Sequence, residues 1–199
     1  MDSLLEVEAV RVGGALSITL SFRLGRGEIL GLYFQRDVDC ARVLDVLAGR
    51  AAPDEGVIRR AGDAVAFLDD ADGTDAEVVA ARAKGESVVL VTTQADRAYR
   101  CDRVVFVGWT TDALLDELER ICASMRVLVD AVLTDETPDL VATIARLRLL
   151  TRASQAMLRE ASARPLTREA HARARAVAAE LTSVTVDDRL LAALLRGVS

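Results

Sequence analysis

The chain changes texture near Trp109, and that change limits what it can fold into. Before Trp109, short β-rich runs alternate with turn residues and short helical stretches; after it the periodicity is helical throughout. We read two domains, residues 1–110 and 111–199. Alternating strands and helices with wholly apolar strand cores imply a layered α/β domain around a parallel sheet, and a helical tail implies a bundle. The expected fold class is therefore α/β, a mixed or parallel sheet followed by an all-α bundle of about four helices. With 51% of 199 residues apolar, both parts can bury a core, which excludes disorder for the bulk of the chain.

In the first half, Leu4 to Val10 alternates like a strand. Ala15 to Leu24 places Leu16, Ile18, Leu20, Phe22 and Leu24 on one face, and Glu28 to Phe34 supplies a third strand. A helix over Asp39 to Ala48 is stopped by Gly49, and Val57-Ile58 opens a short strand. Ala64 to Leu68 runs into Asp69-Asp70, and Thr74 or Asp75 caps a helix to Lys84. Ser87 to Thr92 carries Val-Val-Leu-Val, a strand core of the kind buried on both faces. Gln94 to Arg100 is a helical crossover and Arg103 to Val107 the last strand.

In the second half, Leu114, Leu118, Ile121, Met125, Leu128 and Val132 repeat at 4-3-4-3-4 spacing over Thr111 to Leu133, a seam for packing one helix on another. The seam serves either the bundle's own core or a second chain. The next helix is expected to start with Thr137 as N-cap and Pro138 first, turning Leu140, Ile144, Leu147, Met157 and Leu158 inward as far as Ala161. After Arg164-Pro165, Thr167 caps an alanine-rich helix to Leu181, and Thr185 to Asp188 opens a fourth with Leu190, Leu191, Leu194 and Leu195. Arg168, Arg173 and Arg175 read as a solvated face or a dock for an acidic partner, and His171 among them as a surface residue.

Charge and single residues exclude several functions. There are 31 acidic and 25 basic residues and a net charge of -6, so no basic face for nucleic acid is expected. Lys84 is the only lysine and His171 the only histidine, which removes multi-histidine metal sites and any chemistry needing a lysine elsewhere. Cys40, Cys101 and Cys122 are far apart with no CxxC pattern, as in a reduced, cytoplasmic protein. No run is long enough for a spanning helix, and Met1 to Glu6 lacks the basic start of a signal peptide, so no membrane insertion is expected.

Ser21-Phe22, Leu24, Gly27-Glu28 and Gly31-Leu32 make an SFxLxxGExxGL run; Leu47-Ala48-Gly49 and Pro53-Asp54-Glu55-Gly56 follow it, and Val89 to Thr92 and Asp102 to Val105 form a late strand pair. In this order and spacing the first 110 residues resemble the ATP-binding subunit of ABC transporters, which has LAG and PDSG at the corresponding places. The resemblance implies a phosphate loop, G-x-x-x-x-G-K-[ST], between Gly31 and Gly49, whose backbone N–H groups, lysine and hydroxyl hold the phosphates and Mg²⁺. There the chain has Phe34 and Asp39 for the glycines, Cys40 for the lysine and Ala41 for the hydroxyl. Asp37 and Asp39 would lie near phosphate oxygens, and a like-charge contact near 4 Å costs about 4 kcal/mol at an effective dielectric of about 20.

The remaining motifs agree. Asp69 and Asp70 read either as a remnant of the family's Mg²⁺-holding acids or as an acidic turn after a strand, and Thr93 stands at its switch histidine. Few residues separate Gly62 from Asp69, where the family inserts its helical subdomain, and no LSGGQ occurs. We therefore expect no catalytic residue, no cofactor and no metal, and a non-catalytic, pseudo-ATPase-like scaffold or regulatory protein. Its helical half would supply a homodimer or a dock for an intact ABC ATPase, a permease or another membrane-associated assembly. The alternative is a small-molecule or metal-binding enzyme reusing Asp37, Asp39, Cys40, Asp69 and Asp70.

Overall fold

A computed structural model describes residues 3–13, 17–35, 39–62, 65–70, 75–134 and 139–185. The chain divides into two compact units, Met1–Trp109 and Thr110–Ser199. The first is mixed α/β, in the order β1 (Ser3–Val12), β2 (Ile18–Gly25), β3 (Ile29–Phe34), α1 (Cys40–Ala48), β4 (Glu55–Arg60), β5 (Val65–Leu68), α2 (Asp75–Lys84), β6 (Ser87–Thr92), α3 (Ala95–Ala98) and β7 (Arg103–Val107). Leu16, Asp37, Ala64 and Thr74 lie outside the described residues.

Two sheets result. An antiparallel one has the order β2-β1-β4, and a parallel one the order β5-β6-β3-β7. Strand alternation assigns the two faces of the parallel sheet. Leu30, Leu32 and Phe34 of β3 and Val89 and Val91 of β6 join Val43, Leu44, Val46 and Leu47 of α1 and the inward residues of β1 and β2 in one core. Ile29, Val88 and Leu90 point the other way, onto Val78 and Ala81 of α2 and Cys101. Val88 to Val91 are all fully buried, which is why that strand carries no polar residue between Ser87 and Thr92.

Two glycines are dictated by close approach. A Cβ on Gly31 would lie 3.0 Å from Cys101 Sγ and 3.2 Å from Ala98 O, so its absence lets the turn after α3 pack on β3. Gly56, at φ +89°, faces the bulge of β1, where a Cβ would come within 2.4 Å of Ala9 O. That bulge holds Ala9 at φ +49° and shifts the register between Val7 and Val10. Near the other end of the sheet, α2 finishes at Lys84, whose exposed Nζ lies 3.7 Å from Glu86.

The second unit contains α4 (Thr111–Leu133), α5 (Leu140–Ser162) and α6 (Arg168–Thr185), with α4 packed on both others. Leu114, Leu118, Ile121, Met125 and Val132 are buried; Leu128 is half-buried and Val129 is buried beside it. The next helix corrects two expectations. Its N-cap is Asp139, which accepts from Ala142 N at 2.9 Å, whereas Thr137 and Pro138 lie outside the described residues. Its buried face is Leu147, Leu150, Ala153, Ser154, Met157 and Ala161, with Leu140, Ile144 and Leu158 only half-buried. Small residues at Ala153, Ser154 and Ala161 let helices approach closely, so bulk alone misplaces the inward stripe. Thr167 caps α6, accepting from Ala170 N at 3.1 Å. The helix expected after Thr185 lies outside the described residues. Arg173 is not simply solvated: it lies 2.6 Å from Asp116, 3.0 Å from Glu119 and 4.0 Å from Asp112, all on α4.

Candidate functional site

The winding of the parallel sheet singles out one edge. From β3 the chain passes to the far strand β5, returns to β6, then crosses β3 to reach β7. The direction of winding thus reverses between β3 and β6, and in open parallel sheets ligands bind beyond the carboxyl ends of the strands at such a point. The site candidates that fall among the described residues stand at this edge. Phe34 ends β3, Asp39 and Cys40 open α1, Asp69 and Asp70 follow β5, and Thr93 follows β6.

The geometry fills the edge from inside. Phe34 is 1% exposed and belongs to the core below the edge, so its ring occupies apolar space instead of offering a bare amide to a ligand. Asp39 is the N-cap of α1: its Oδ1 accepts from Arg42 N at 3.0 Å, which satisfies a donor that would otherwise point at an anion. Ala41 is exposed and brings no hydroxyl. Asp37 lies outside the described residues.

Across from α1, Asp70 is the hub of a polar knot. Its Oδ1 accepts from the Thr92 hydroxyl and, at 3.2 Å, from Arg97 Nη1. Its Oδ2 accepts from Thr93 N at 2.9 Å and Thr93 Oγ1 at 3.0 Å. Arg97 also donates to the backbone oxygen of Asp70 at 3.1 Å. The two charged side chains keep only 15% and 22% of their exposure. Burial pushes the Asp70 carboxyl up, but the hydrogen bonds from Thr92, Thr93 and Arg97 outweigh it and hold the group below the ordinary carboxylate value. Asp70 therefore stays ionised with its lone pairs occupied, and the backbone oxygen of its neighbour Asp69 accepts from Arg97 at 3.5 Å.

Cys40 faces these acids. Burial, and then the charges of Asp70, Asp69 and Asp39, push its thiol up to about 11. The same direction holds for Cys101, pushed up to about 12 chiefly by burial, and Cys122, pushed up to about 11. A thiol so raised is protonated at neutral pH and is a poor nucleophile and metal ligand. Cys40 in the folded protein is expected to react with a disulfide reagent at pH 8 at least about tenfold more slowly than a free thiol. Timed absorbance of the released thiolate, before and after adding denaturant, checks this. Among the described residues, no three His, Cys, Asp or Glu side chains gather in a way that could hold a metal ion.

Sequence reasoning missed Thr92 and Arg97. Arg97 lies 27 positions from Asp70, and only the sheet order that sets β5 beside β6 brings them together. No protein-family model and no curated protein matches this chain. Among the described residues, no helix is long and apolar enough to cross a membrane.

Proposed function

We propose that the chain is a non-catalytic relative of ABC ATP-binding subunits, acting in the cytoplasm as a scaffold or regulatory protein through protein–protein contacts of its helical unit. An intact ABC ATPase, a permease or a second copy is the class of partner this reading implies. One observation carries it: the edge of the sheet where a nucleotide phosphate would be held is occupied by the protein's own groups. Phe34 is in the core, Asp39 caps α1, and Asp70 is saturated by Thr92, Thr93 and Arg97. A phosphate arriving there would meet the negative charge of Asp39, Asp69 and Asp70 and would find no lysine, since Lys84 stands at the opposite end of β6. Support for the ancestry comes from motif order and from a crossover reversal placed between β3 and β6.

Isothermal titration calorimetry of the protein with ATP or ADP and Mg²⁺ tests the reading. The expected result is no saturable heat up to about 1 mM nucleotide, which bounds any binding free energy as weaker than about -4 kcal/mol. Saturable binding in that range would overturn the proposal.

A further inference from the structure

Among the described residues, more than half of the arginines are ion-paired. Arg11, Arg23, Arg50, Arg59, Arg82 and Arg103 all form ion pairs with a carboxylate. Helix α5 departs from this pattern. Arg148, Arg152 and Arg159 are exposed and fall within about 40° of one another around the helix, on the side away from Leu147, Leu150 and Met157. Among the described residues none of the three has an ion pair; Arg159 only reaches back to Gln155 O, at 3.2 Å. The single carboxylate of α5, Glu160, is bound by Arg164 at 2.8 Å. Val141, 78% exposed, extends the same stripe.

On α4 the imbalance has the opposite sign. Asp112, Asp116 and Glu119 stand at 4-3 spacing with side-chain exposures of 80%, 71% and 48%, and all three share one cation, Arg173. The bundle thus carries a surplus-positive stripe on one helix and a surplus-negative stripe on another. The spacings match: Arg148, Arg152 and Gln155 repeat the 4-3 pattern of Asp112, Asp116 and Glu119. The neutral Gln155 corresponds to Glu119, which pairs with Arg173 at 3.0 Å; Asp116 pairs with the same guanidinium at 2.6 Å, so one cation offsets three carboxylates.

We infer that the helical unit self-associates, with the Arg148–Arg152 stripe of α5 in one copy docked on the Asp112–Asp116 edge of α4 in a second copy. A surface that carries both halves of a complementary pair is suited to two-fold association, in which each contact is made twice. A nucleic acid or anionic membrane fits less well, because three cations on a chain of net charge -6 leave the acids of α4 uncompensated. The inference rests on the interaction role proposed above for the helical unit. It does not depend on nucleotide binding, so the calorimetric test and the one below can fail separately.

Sedimentation velocity of the full chain at about 100 µM in about 50 mM salt should show a dimer that dissociates as salt is raised to about 500 mM, since these exposed charges are screened. R148E/R152E should weaken association at least about tenfold, and D112K/D116K likewise, with Glu119 left to hold Arg173. Mixing the two variants restores opposite charges at both contacts of a mixed pair, so an equimolar mixture should dimerise where neither variant does. Circular dichroism checks that each variant is folded; if a reversal unfolds the bundle, the neutral pair R148Q/R152Q replaces it and should still weaken association severalfold. A wild-type monomer under the low-salt conditions would overturn the inference. So would a dimer untouched by R148E/R152E or R148Q/R152Q, or two folded reversal variants that fail to combine.

Discussion

Phe34→Ala is expected to destabilise the α/β unit by about 3–5 kcal/mol, the usual cost of removing a fully buried aromatic ring from a core that only partly collapses. Phe34 is 1% exposed and joins Leu30, Leu32, Leu47 and Val91 in one cluster. The chain's single tryptophan reports on this unit directly. Trp109 packs against Tyr33 with ring centroids 4.8 Å apart, and its Nε1 donates to Tyr33 O at 3.0 Å, one residue before Phe34. Denaturant unfolding followed by Trp109 emission therefore measures the loss, with the far-ultraviolet helical signal following α4 to α6 as a control. A loss below about 1 kcal/mol would mean that the ring is not a core element, and the edge would then be open after all.

The second large effect is expected at Asp70. Removing its carboxylate in Asp70→Ala leaves the Thr92 hydroxyl, Thr93 N and the Arg97 guanidinium without their acceptor, and stranded partners of a charged group cost about 2–3 kcal/mol. The pH dependence follows from the sign of the shift. The Asp70 carboxyl is held below its ordinary value when folded, so its stabilisation is complete above the unfolded value of about 4 and is lost as pH falls through the lower folded value. Wild type should therefore lose stability between about pH 5 and pH 2 more steeply than Asp70→Asn, which has no proton to take up at this site. Equal acid slopes in the two proteins would show that the knot does not hold Asp70 ionised.

Where local chemistry decides an element, the sequence was readable. Val88 to Val91 can be stable only with both faces covered, and they are. Thr167, read as a cap, precedes α6 and accepts from the amide of Ala170, three residues on. The alternation of Ile18, Leu20, Phe22 and Leu24 identified the inner face of β2. Less was readable where pairing is remote. That β4 adds to the antiparallel sheet beside β1, with Val7 opposite Ile58, depends on a bulge at Ala9 accommodated by Gly56, and no residue next to either announces it. In α5 the small residues Ala153, Ser154 and Ala161 outrank larger neighbours at the packed face because closeness of approach, not apolar bulk, decides what is buried there. At the site, the position of each candidate on its strand or helix was accessible from spacing, but the Arg97 partnership was not, since it spans two strands and a crossover.

Lys84 gives the molecule a practical handle. Its side chain is 67% exposed at the end of α2, and it is the only side-chain amine in the chain. It precedes β6 by a two-residue turn, whereas Thr92 and the Asp70 knot lie at that strand's far end, about 20 Å away along six extended residues. An amine-directed fluorophore or surface tether placed there would attach to one defined side-chain position, and it would leave the carboxyl edge of the sheet unlabelled.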